Sequence, residues 1–411
     1  MTEYDVLIIG GGAAGYFAAI TCAEANPALN VALLEATGRP LTKVKISGGG
    51  RCNVTHNCMD PVELCKNYPR GHKELRQVFH KFNVVDTIDW FKKRGVKLRA
   101  EADGRMFATT NKSQTIIDCL STAITDARVN LLKGHLVKAV TREDEHFTVY
   151  LAKQSPITCK KLLLATGSAP IGHKIASSMG HKIIPIVPSL FTFTIDDKRL
   201  EGLAGLSIEH VTAKLCFKNS KKKYNQFGPL LVTHWGLSGP CILKLSAWAA
   251  RELAEHQYHA QLELNLLPEL SKAQVSSALI ELKTNHSKKS FSKCLPFPQI
   301  PKRLWLKLIE SLNIPADLSC AHLSNKQIEA VSNALLRLSF EVSAKGEYKD
   351  EFVSCGGIDL KEVDTKTLES KVVKGLFFAG EILNVDGVTG GFNFQNAWST
   401  AWIAGNHILS T

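Results

Sequence analysis

The sequence of 411 residues predicts an α/β protein assembled from both ends of the chain, with an inserted region between them. Residues 6–9 form an apolar run that meets a glycine-rich turn and continues into helical spacing of apolar residues through Ala25. A second strand, turn and helix pattern begins near residue 376. From residue 191 the pattern changes to alternating strands and then to short helices. These observations predict a nucleotide-binding fold with an insert.

Composition and charge limit the class of protein. Apolar residues make up 45% of the chain and charged residues 21%, which is typical of a globular protein of two or three domains. No apolar run reaches the roughly 18 residues that a membrane span requires, and the chain opens without a basic leader. We therefore expect a cytoplasmic protein with no membrane partner. The formal net charge of +12 favours a polyanionic partner.

The eleven cysteines predict neither a disulfide framework nor a metal site. Their number is odd, and the sequence contains no C-x-x-C pair. Cys52 and Cys58 have five residues between them, one more than the C-x-x-x-x-C pair of flavin-dependent disulfide reductases. Dithiol chemistry is therefore disfavoured, and most cysteines are predicted to be small core residues.

The N-terminal glycines form a dinucleotide-binding fingerprint, G-x-G-x-x-G. The first glycine permits the tight turn, the second lets the backbone approach a pyrophosphate, and the third lets helix and strand pack closely. The helix N-terminus supplies amides and a partial positive charge. A second apolar strand, "VALLE", ends in a glutamate that can accept hydrogen bonds from a ribose diol. The predicted contacts are Gly10, Gly12, Ala13, Ala14, Gly15 and Glu35.

The C-terminal pattern favours FAD over NAD. Residues 376–379 form a buried strand, followed by an acidic turn, a glycine loop and a helix that carries Trp398 and Trp402. FAD enzymes of the glutathione-reductase type close their nucleotide domain in this way. A helix N-terminus directed at the pyrimidine edge of the flavin would stabilise its anionic reduced form. The predicted contacts are Gly380, Glu381, Asp386, Gly390, Gly391, Phe392 and Asn393.

Six segments of the sequence resemble those of a known protein family. The segments are "KISGGGRCNVTH", "GRMFATTNKSQTIIDCL", "LLLATGS", "LVTHWGLSGPCIL", "SCGGIDLKEVD" and "GLFFAGEILNVDGVTGGFNFQNAW". In them the chain resembles the YhiN/BaiN-like family of FAD-dependent oxidoreductases. The resemblance implies a Rossmann-type FAD-binding domain of the glutathione-reductase kind, interrupted by an insert with a β-barrel and a small helical subdomain. It also implies the reduction of unsaturated rings, such as a ribosomal-RNA uridine to dihydrouridine or, in one branch, a steroid-type enone.

The periodicity of apolar residues indicates the same domain organisation and predicts the domain boundaries. Strands such as "LFTFTID", "VTAKLCF" and "HAQLELNLL" characterise the first part of the insert, and proline-rich joints separate the helices that follow. We expect an FAD-binding domain over residues 1–190 and 355–411, a barrel-like insert over 191–266 and 327–354, and a helical subdomain over 267–326.

The stretch "KISGGGRCN" after the second strand predicts a cofactor bed. Three consecutive glycines let amides and a flat ring lie against bare backbone. The flanking basic residues can neutralise a pyrophosphate or a charged substrate. The bed comprises Lys45, Ser47, Gly48, Gly49, Gly50, Arg51, Cys52 and Asn53. Val137, and Thr166 and Gly167 at the end of the strand in "KKLLLATGS", complete the predicted set of cofactor contacts.

Cys52 and His234 are the candidate catalytic residues. The Cys52 thiol could protonate the carbon next to the one that receives hydride, or it could be an inert buried cysteine. His234 lies in "LVTHWGLSGP" with Ser238 and Gly239, and its alternative is a structural histidine. The thiol of Cys355 is not expected to have a catalytic role.

Further basic residues are predicted to border the site and the insert. "GRMFATTNKSQ" could bring Arg105, Asn111 and Lys112 to the mouth of the site, before a helix that includes residues 113–120. Candidate RNA-facing residues of the insert are Lys218, Lys221, Lys222, Lys223, Lys288, Lys289, Lys293, Lys302, Arg303 and Lys307. A charge run can equally be a solvated face.

The predicted reaction is reduction of an activated C=C bond by FAD, with uracil in ribosomal RNA as the favoured substrate. Two alternatives stay open. One is an NAD(P)H-dependent reductase or dehydrogenase of small enones or steroid-like molecules, and the other is an RNA-associated flavoprotein with little turnover. The middle of the chain contains no second glycine fingerprint, so NAD(P)H, as the expected donor, would reach the flavin without a Rossmann site of its own. The oligomeric state is left open.

Overall fold

The computed structural model describes residues 2–218, 220–346 and 353–408. The chain forms two compact units, residues 1–189 with 349–411, and residues 190–348. The elements of the first unit are β1 (Thr2–Ile9), α1 (Ala13–Ala25), β2 (Val31–Glu35), α2 (Thr42–Gly50), β3 (Thr55–His56), α3 (Pro61–Cys65), α4 (His72–Lys81), α5 (Val84–Lys93), β4 (Leu98–Ala100), β5 (Arg105–Ala108), α6 (Ser113–Asp126), β6 (Asn130–Lys133), β7 (Val137–Glu143), β8 (His146–Leu151), β9 (Ile157–Leu164), α7 (Pro170–Ser178) and β10 (Ile183–Ser189).

The second unit and the return to the first complete the chain. The second unit contains β11 (Phe193–Thr194), β12 (Ser207–Cys216), β13 (Lys223–Thr233), β14 (Gly236–Ser238), α8 (Pro240–Trp248), α9 (Ala250–Glu255), β15 (Ala260–Asn265), α10 (Lys272–Asn285), α11 (Lys302–Ser311), α12 (Asn325–Leu336), β16 (Leu338–Val342) and β17 (Ala344–Lys345). The first unit resumes with β18 (Val353–Ile358), β19 (Leu376–Phe378) and α13 (Phe392–His407).

A mostly parallel sheet forms the centre of the first unit. Its order is β6-β2-β1-β9, and β9 pairs with both β19 and β8 along different halves of its length. The parallel strands β6, β2, β1, β9 and β19 place their carboxyl ends at one edge. Because β1 lies between β2 and β9, the chain order reverses beside β1, which creates a crevice where ligands bind in such sheets.

Two helices from opposite ends of the chain cover this sheet. Helix α1 is buried over nearly its whole length, because its small residues lie close to α13. A Cβ on Gly405 would lie 2.8 Å from the carbonyl oxygen of Ala18, so only glycine allows this approach. The rings of Phe17 and Trp398 lie 5.3 Å apart in the same interface. The C-terminal segment is thus part of the nucleotide fold.

The second unit contains a seven-stranded antiparallel sheet with the order β16-β15-β12-β13-β14-β11-β17. The predicted strand in "LFTFTID" is much shorter than expected, with only Phe193–Thr194 paired, whereas "VTAKLCF" and "HAQLELNLL" lie largely in β12 and β15. Among the described residues, the pairings run from one edge to the other and do not join the two edges.

The helical part of this unit extends beyond residue 326. Helix α12 begins at a capping box in which Ser324 Oγ accepts from the amide of Gln327, and it continues to Leu336. Ile328, Val331 and Leu335 are buried at helical spacing, which explains why the helix continues toward β16.

Candidate functional site

The crevice at the carboxyl ends of β1, β2, β9 and β19 brings the N-terminal fingerprint to the C-terminal motif. Gly10 follows β1 with φ +118°, and a Cβ there would lie 2.4 Å from the carbonyl oxygen of Ala165, after β9. A Cβ on Gly15 would lie 1.9 Å from the carbonyl oxygen of Gly10. A Cβ on Gly380 would lie 2.9 Å from the Cβ of Ala14. These close approaches require glycine and bring the two motifs together.

Gly12 differs from its neighbours because its Cβ position is open. A Cβ built there has no atom within 4 Å, although the residue precedes the amides of α1. Open space beside a helix N-terminus suits a phosphate, since the amides and the helix dipole both favour an anion. Ala13 is the first residue of α1, and its backbone lies at this position. The turn therefore fits the pyrophosphate of a dinucleotide.

Glu35 lies at the end of β2 and faces the fingerprint turn. Its Oε2 accepts from the amide of Gly11 at 3.1 Å, and its Oε1 accepts from the amide and hydroxyl of Thr37 at 2.8 and 2.7 Å. These bonds orient the carboxylate beside the turn. A carboxylate can accept further hydrogen bonds, so this position suits the hydroxyls of a ribose.

The predicted glycine bed has one packed and two open positions. Gly48 and Gly49 interrupt α2 with φ values of +58° and +66°, and Gly50 has φ +80°. A Cβ on Gly48 would lie 3.1 Å from the ring of Phe107, whereas those on Gly49 and Gly50 would meet no atom within 4 Å. An exposed backbone floor of this kind fits a flat ring, as expected for a flavin.

The first residues of the predicted cofactor bed, from Lys45, lie in the regular part of helix α2 and not in a loop. The amide of Lys45 donates to the carbonyl of Leu41 at 3.0 Å, within the regular part of α2. Ser113 Oγ donates to the carbonyl of Lys45 at 2.8 Å and joins this turn to α6. Ser47 ends the regular part, and its hydroxyl donates to the carbonyl of Val44 at 3.0 Å. Local hydrogen bonding thus fixes the entry to the glycines.

Arg51 is held beside the bed by an acidic residue that the motif analysis did not single out. Its guanidinium lies 3.9 Å from the centre of the Phe107 ring, and its Nη1 donates to Glu101 Oε1 at 2.6 Å. Arg105 Nη2 binds the other oxygen of Glu101 at 3.1 Å, and its Nε binds Asp103 at 2.6 Å. Both arginines are therefore oriented, and Arg51 is the one adjacent to the glycines.

Cys52 is fully buried, with 0% of its surface exposed. Burial raises the pKa of its thiol to about 12, and a hydrogen bond with Ser47 opposes that shift. Its amide donates to the carbonyl of Ser47 at 3.0 Å, and its backbone adopts φ +59°. These observations favour a protonated structural thiol, and the general-acid role stays a prediction.

The chain after Cys52 is joined to α13. The Asn53 side chain accepts from the amide of Gly391 and donates to the carbonyl of Thr55, both at 3.0 Å. Thr55 Oγ1 donates to Gln395 Oε1 at 2.6 Å, and Trp398 Nε1 donates to the carbonyl of Val54 at 2.9 Å. Asn53 and Gly391 are both predicted cofactor contacts, but their pairing has no signal in the sequence, because it joins segments 338 positions apart.

The N-terminus of α13 has a second partner in His56. The rings of His56 and Phe392 stack at 4.5 Å, and His56 Nδ1 donates to the carbonyl of Gly390 at 3.0 Å. Asn393 exchanges two hydrogen bonds with the backbone of Gly387, at 2.8 and 2.9 Å. The glycine loop before α13 is thereby fixed in position.

Glu381 is paired within the first unit. Its Oε2 binds Lys43 Nζ at 2.8 Å, and its Oε1 accepts from the amide of Ser354 at 2.9 Å. Lys43 also donates to Ser168 at 3.2 Å. The carboxylate thus joins α2 and β18 to the turn after β19. A role toward a ribityl chain or a phosphate stays a prediction.

The turn after β9 has both a special backbone and an unpaired polar atom. Gly167 adopts φ +59°, and its Cβ position faces Glu381 Oε2 at 3.6 Å. Thr166 Oγ1 is buried and has no hydrogen-bond partner among the described residues. Such an atom can bind a ligand group or a water molecule. Val137, at the start of β7, is buried, so only its backbone is suited to a cofactor contact.

Asp386 is paired with Arg70 and Ser189. Its carboxylate is 0% exposed, accepts from Ser189 Oγ at 2.8 Å and binds the Arg70 guanidinium through both oxygens. Arg70 lies outside the sequence motifs quoted above, and no local pattern predicts its pairing with Asp386. The observed pairing is structural, and a direct contact between Asp386 and a cofactor stays a prediction.

His234 lies in the second unit, in the turn after β13. It lines a cleft of about 340 Å³ with acidic residues of the segment that follows β11. Thr233 and Gly236 contribute its other wall, and the imidazole of His234 is exposed. Ser238 is in β14, and Gly239 precedes α8 with φ +93°. The cleft has room for a ring-sized ligand, so His234 could donate a proton there.

The other predicted residues have mixed surroundings. Asn111 and Lys112 are exposed and precede α6, which extends from Ser113 to Asp126 and so contains the predicted helix. Cys355 is buried in β18. Within residues 2–218, 220–346 and 353–408, no group of three metal-binding side chains occurs, and no helix is long and apolar enough to cross a membrane.

Known proteins resemble this chain over its full length. The HI0933-like protein Rossmann domain family matches residues 4–407. The ribosomal RNA dihydrouridine synthase of Escherichia coli (strain K12) is 30% identical, over 100% of this chain and 99% of its own. The 3-dehydro-bile acid delta(4,6)-reductase of Clostridium scindens is 27% identical, over 97% of each chain.

A solved structure gives the same fold. The 3-ketosteroid delta1-dehydrogenase of Sterolibacterium denitrificans matches with a TM-score of 0.54 at 11% identity, over 100% of both chains. The expected family, the Rossmann-type nucleotide domain and the oxidoreductase class are confirmed. A family match over nearly the whole chain, with a relative of equal length at 30% identity, shows that this protein belongs to the HI0933-like family of flavoprotein oxidoreductases.

Proposed function

We propose that this protein reduces a uracil of ribosomal RNA to dihydrouridine with FAD as its cofactor and NAD(P)H as the electron donor. The main support for an RNA substrate is a relative of equal length, 30% identical to this chain, that is named a ribosomal RNA dihydrouridine synthase. The net charge of +12 supports it, because each phosphate that a cationic surface neutralises adds affinity.

The open positions of the first unit are the expected contacts of FAD. Gly12 and the N-terminus of α1 would accommodate the pyrophosphate of FAD, and Glu35 would bind its ribose. The exposed backbone of Gly49 and Gly50 would lie against the flavin ring. Bound FAD, once reduced by NAD(P)H, would supply hydride to the electron-poor carbon of a C=C bond and return to its oxidised form. The bare floor excludes side chains from the space of the ring, and Arg51 provides a fixed positive charge at its border.

The second carbon of the reduced bond requires a proton. The Cys52 thiol stays protonated over the ordinary pH range, but it is fully buried. His234 is exposed in a cleft lined by Asp196, Asp197 and Glu201. A proton donor must reach its substrate, so His234 is favoured over Cys52.

Mapping of reduced uridines by mass spectrometry tests the proposal. Ribosomal RNA from a deletion strain is expected to lack one dihydrouridine, which the wild-type gene restores. The Gly12→Val variant, designed to exclude the cofactor, should not restore it. Full modification in the deletion strain would refute the RNA substrate.

A second candidate is an NAD(P)H-dependent reductase of small enones. It is favoured by the bile acid reductase of Clostridium scindens, which matches 97% of this chain. Rapid NAD(P)H oxidation with soluble enones, with unchanged ribosomal RNA in the deletion strain, would support it. A flavin that stays oxidised with every donor would instead indicate an RNA-associated protein with little turnover.

A further inference from the structure

The hairpin of β12 and β13 presents a mixed aromatic and basic surface. On β13 the exposed positions alternate as Lys223, Asn225 and Phe227, so these side chains share one face. Lys214 on β12 is directly opposite Asn225, and therefore lies on the same face. We call this surface the β13 face, and it comprises His210, Thr212, Lys214, Lys223, Asn225 and Phe227.

Two exposed rings lie side by side on the β13 face. Phe227 is 52% exposed, and the side chain of His210 is 60% exposed. Their ring centroids are 5.7 Å apart at an angle of 70°. A single exposed apolar residue needs no explanation, but a ring held on a rigid strand by a second ring and bordered by cations resembles a base-stacking platform.

The sequence of the β12–β13 hairpin and of the helices that follow it is basic. From residue 210 to residue 251 the sequence contains seven Lys and Arg residues and no Asp or Glu. Acidic partners come from outside this stretch: Glu263 lies 3.7 Å from Lys214, Glu252 lies 2.6 Å from Lys222, and Glu269 lies 3.7 Å from His210. Lys218 and Lys221 lie between the end of β12 and the start of β13 in the chain. A polyanion matches this balance better than a second copy of a chain of net charge +12.

The face also leads toward the cleft of His234. Strand β13 continues from Phe227 to Thr233, which with a rise of about 3.3 Å per residue corresponds to about 20 Å. Thr233 and His234 line the cleft, and Trp235, which follows, is 36% exposed. A strand of RNA on this face could therefore have one base near Phe227 and another at the cleft.

We propose that the β13 face binds single-stranded RNA, with one base stacked on Phe227 beside His210 and the backbone phosphates near Lys214 and Lys223. The inference rests on the proposed RNA substrate and specifies how the protein would hold it. Stacking on an aromatic ring tolerates any base, so the face supplies affinity and direction, and selection of the target uracil occurs elsewhere.

Fluorescence anisotropy with the full-length protein tests the face. The probe is a labelled single-stranded oligouridylate of about 12 nucleotides, within the site sizes seen for single-strand binders. Phe227→Ala should weaken binding about tenfold, the effect of losing one stacked base. Phe227→Trp should bind at least as tightly as the wild type. Ile280→Ala removes another half-exposed apolar residue, on α10, and should have no effect.

The salt dependence of RNA binding distinguishes the contribution of the Phe227 ring from that of the lysines. Phe227→Ala should leave the slope of log Kd against log salt unchanged, whereas Lys223→Ala should lower its magnitude by about 0.7. If the wild type binds RNA and Phe227→Ala binds it with the same affinity, the β13 face is not the RNA-binding surface. That result would not contradict the proposal that RNA is the substrate. A preference for duplex over the single strand would overturn the proposed role of the β13 face as well.

Two further outcomes are distinguishable. If Phe227→Ala keeps RNA affinity but converts a dimer to a monomer in size-exclusion chromatography, the face is a protein interface and the proposal is wrong. The RNA substrate itself fails on a separate readout, the unchanged dihydrouridine content of ribosomal RNA in a deletion strain. Flavin content and thermal midpoint equal to those of the wild type show that each variant is folded.

Discussion

Arg70 and Asp386 form a buried ion pair between segments 316 positions apart. Ser189 donates to the same carboxylate, so the pair joins the segment before α4, the end of β10 and the loop before α13. A buried carboxylate held by a guanidinium is costly to break, because its partner stays in a poorly solvated position.

Asp386→Ala is expected to destabilise the apoprotein by about 3–5 kcal/mol, since the Arg70 charge would lose its carboxylate. Chemical denaturation without added FAD measures the effect. Glu24→Ala, which breaks the more exposed pair between Glu24 and Arg94, serves as the control and should cost less than about 1 kcal/mol. Equal stabilities of the two variants, with loss of flavin only in Asp386→Ala, would instead assign Asp386 to the cofactor.

Gly12→Val is expected to abolish FAD binding without unfolding the protein. The Cβ position of Gly12 has no protein atom within 4 Å, so the valine would occupy the predicted space of the pyrophosphate. The visible absorbance of the purified protein and reconstitution with FAD measure binding. Gly38→Val is the matched control, because its Cβ position is also open and Gly38 is not a predicted contact. A yellow Gly12→Val variant would contradict the assigned site.

Arg51→Ala is expected to weaken FAD binding about ten- to a hundredfold, if its charge neutralises a cofactor phosphate as predicted. Arg105→Ala is the control, since Arg105 shares the carboxylate of Glu101 but is not adjacent to the glycines. Titration of each apoprotein with FAD gives the Kd. An unchanged Kd in Arg51→Ala would assign this arginine to the substrate or to structure alone.

Cys52→Ala is expected to reduce the loss of stability at alkaline pH. The folded thiol has a pKa of about 12 because of burial, against 9.0 in an exposed cysteine. Above pH 9 only the unfolded chain releases this proton, so the free energy of unfolding falls by about 1.4 kcal/mol per pH unit until about pH 12. Denaturation at several pH values, compared between variant and wild type, isolates this contribution.

Cys22→Ala provides the comparison for Cys52. Burial raises the pKa of Cys22 to about 12 as well, although it lies in α1 and has no predicted catalytic role. Both variants should therefore show the same reduction of the alkaline slope. If Cys52→Ala leaves the slope unchanged while Cys22→Ala reduces it, the Cys52 thiol is more acidic than its burial indicates, and a catalytic role would gain support.

Local patterns predicted the elements that form the crevice. The fingerprint glycines, the strand that ends at Glu35 and the helix after Gly391 follow from turn chemistry and apolar periodicity, which act over a few residues. The same reasoning overestimated the strand at "LFTFTID" and ended the helical insert too early for α12, because alternation and helical spacing overlap in short apolar segments.

By itself, the sequence determined the fold class and the two ends of the chain that form the nucleotide domain. Tertiary structure decided which polar groups are paired: Arg51 with Glu101, Glu381 with Lys43, and Asp386 with Arg70. It also decided that Cys52 is buried while Phe227 is exposed. The reason is physical, since a pairing or a burial depends on atoms brought together from distant parts of the chain, and no local pattern contains that information.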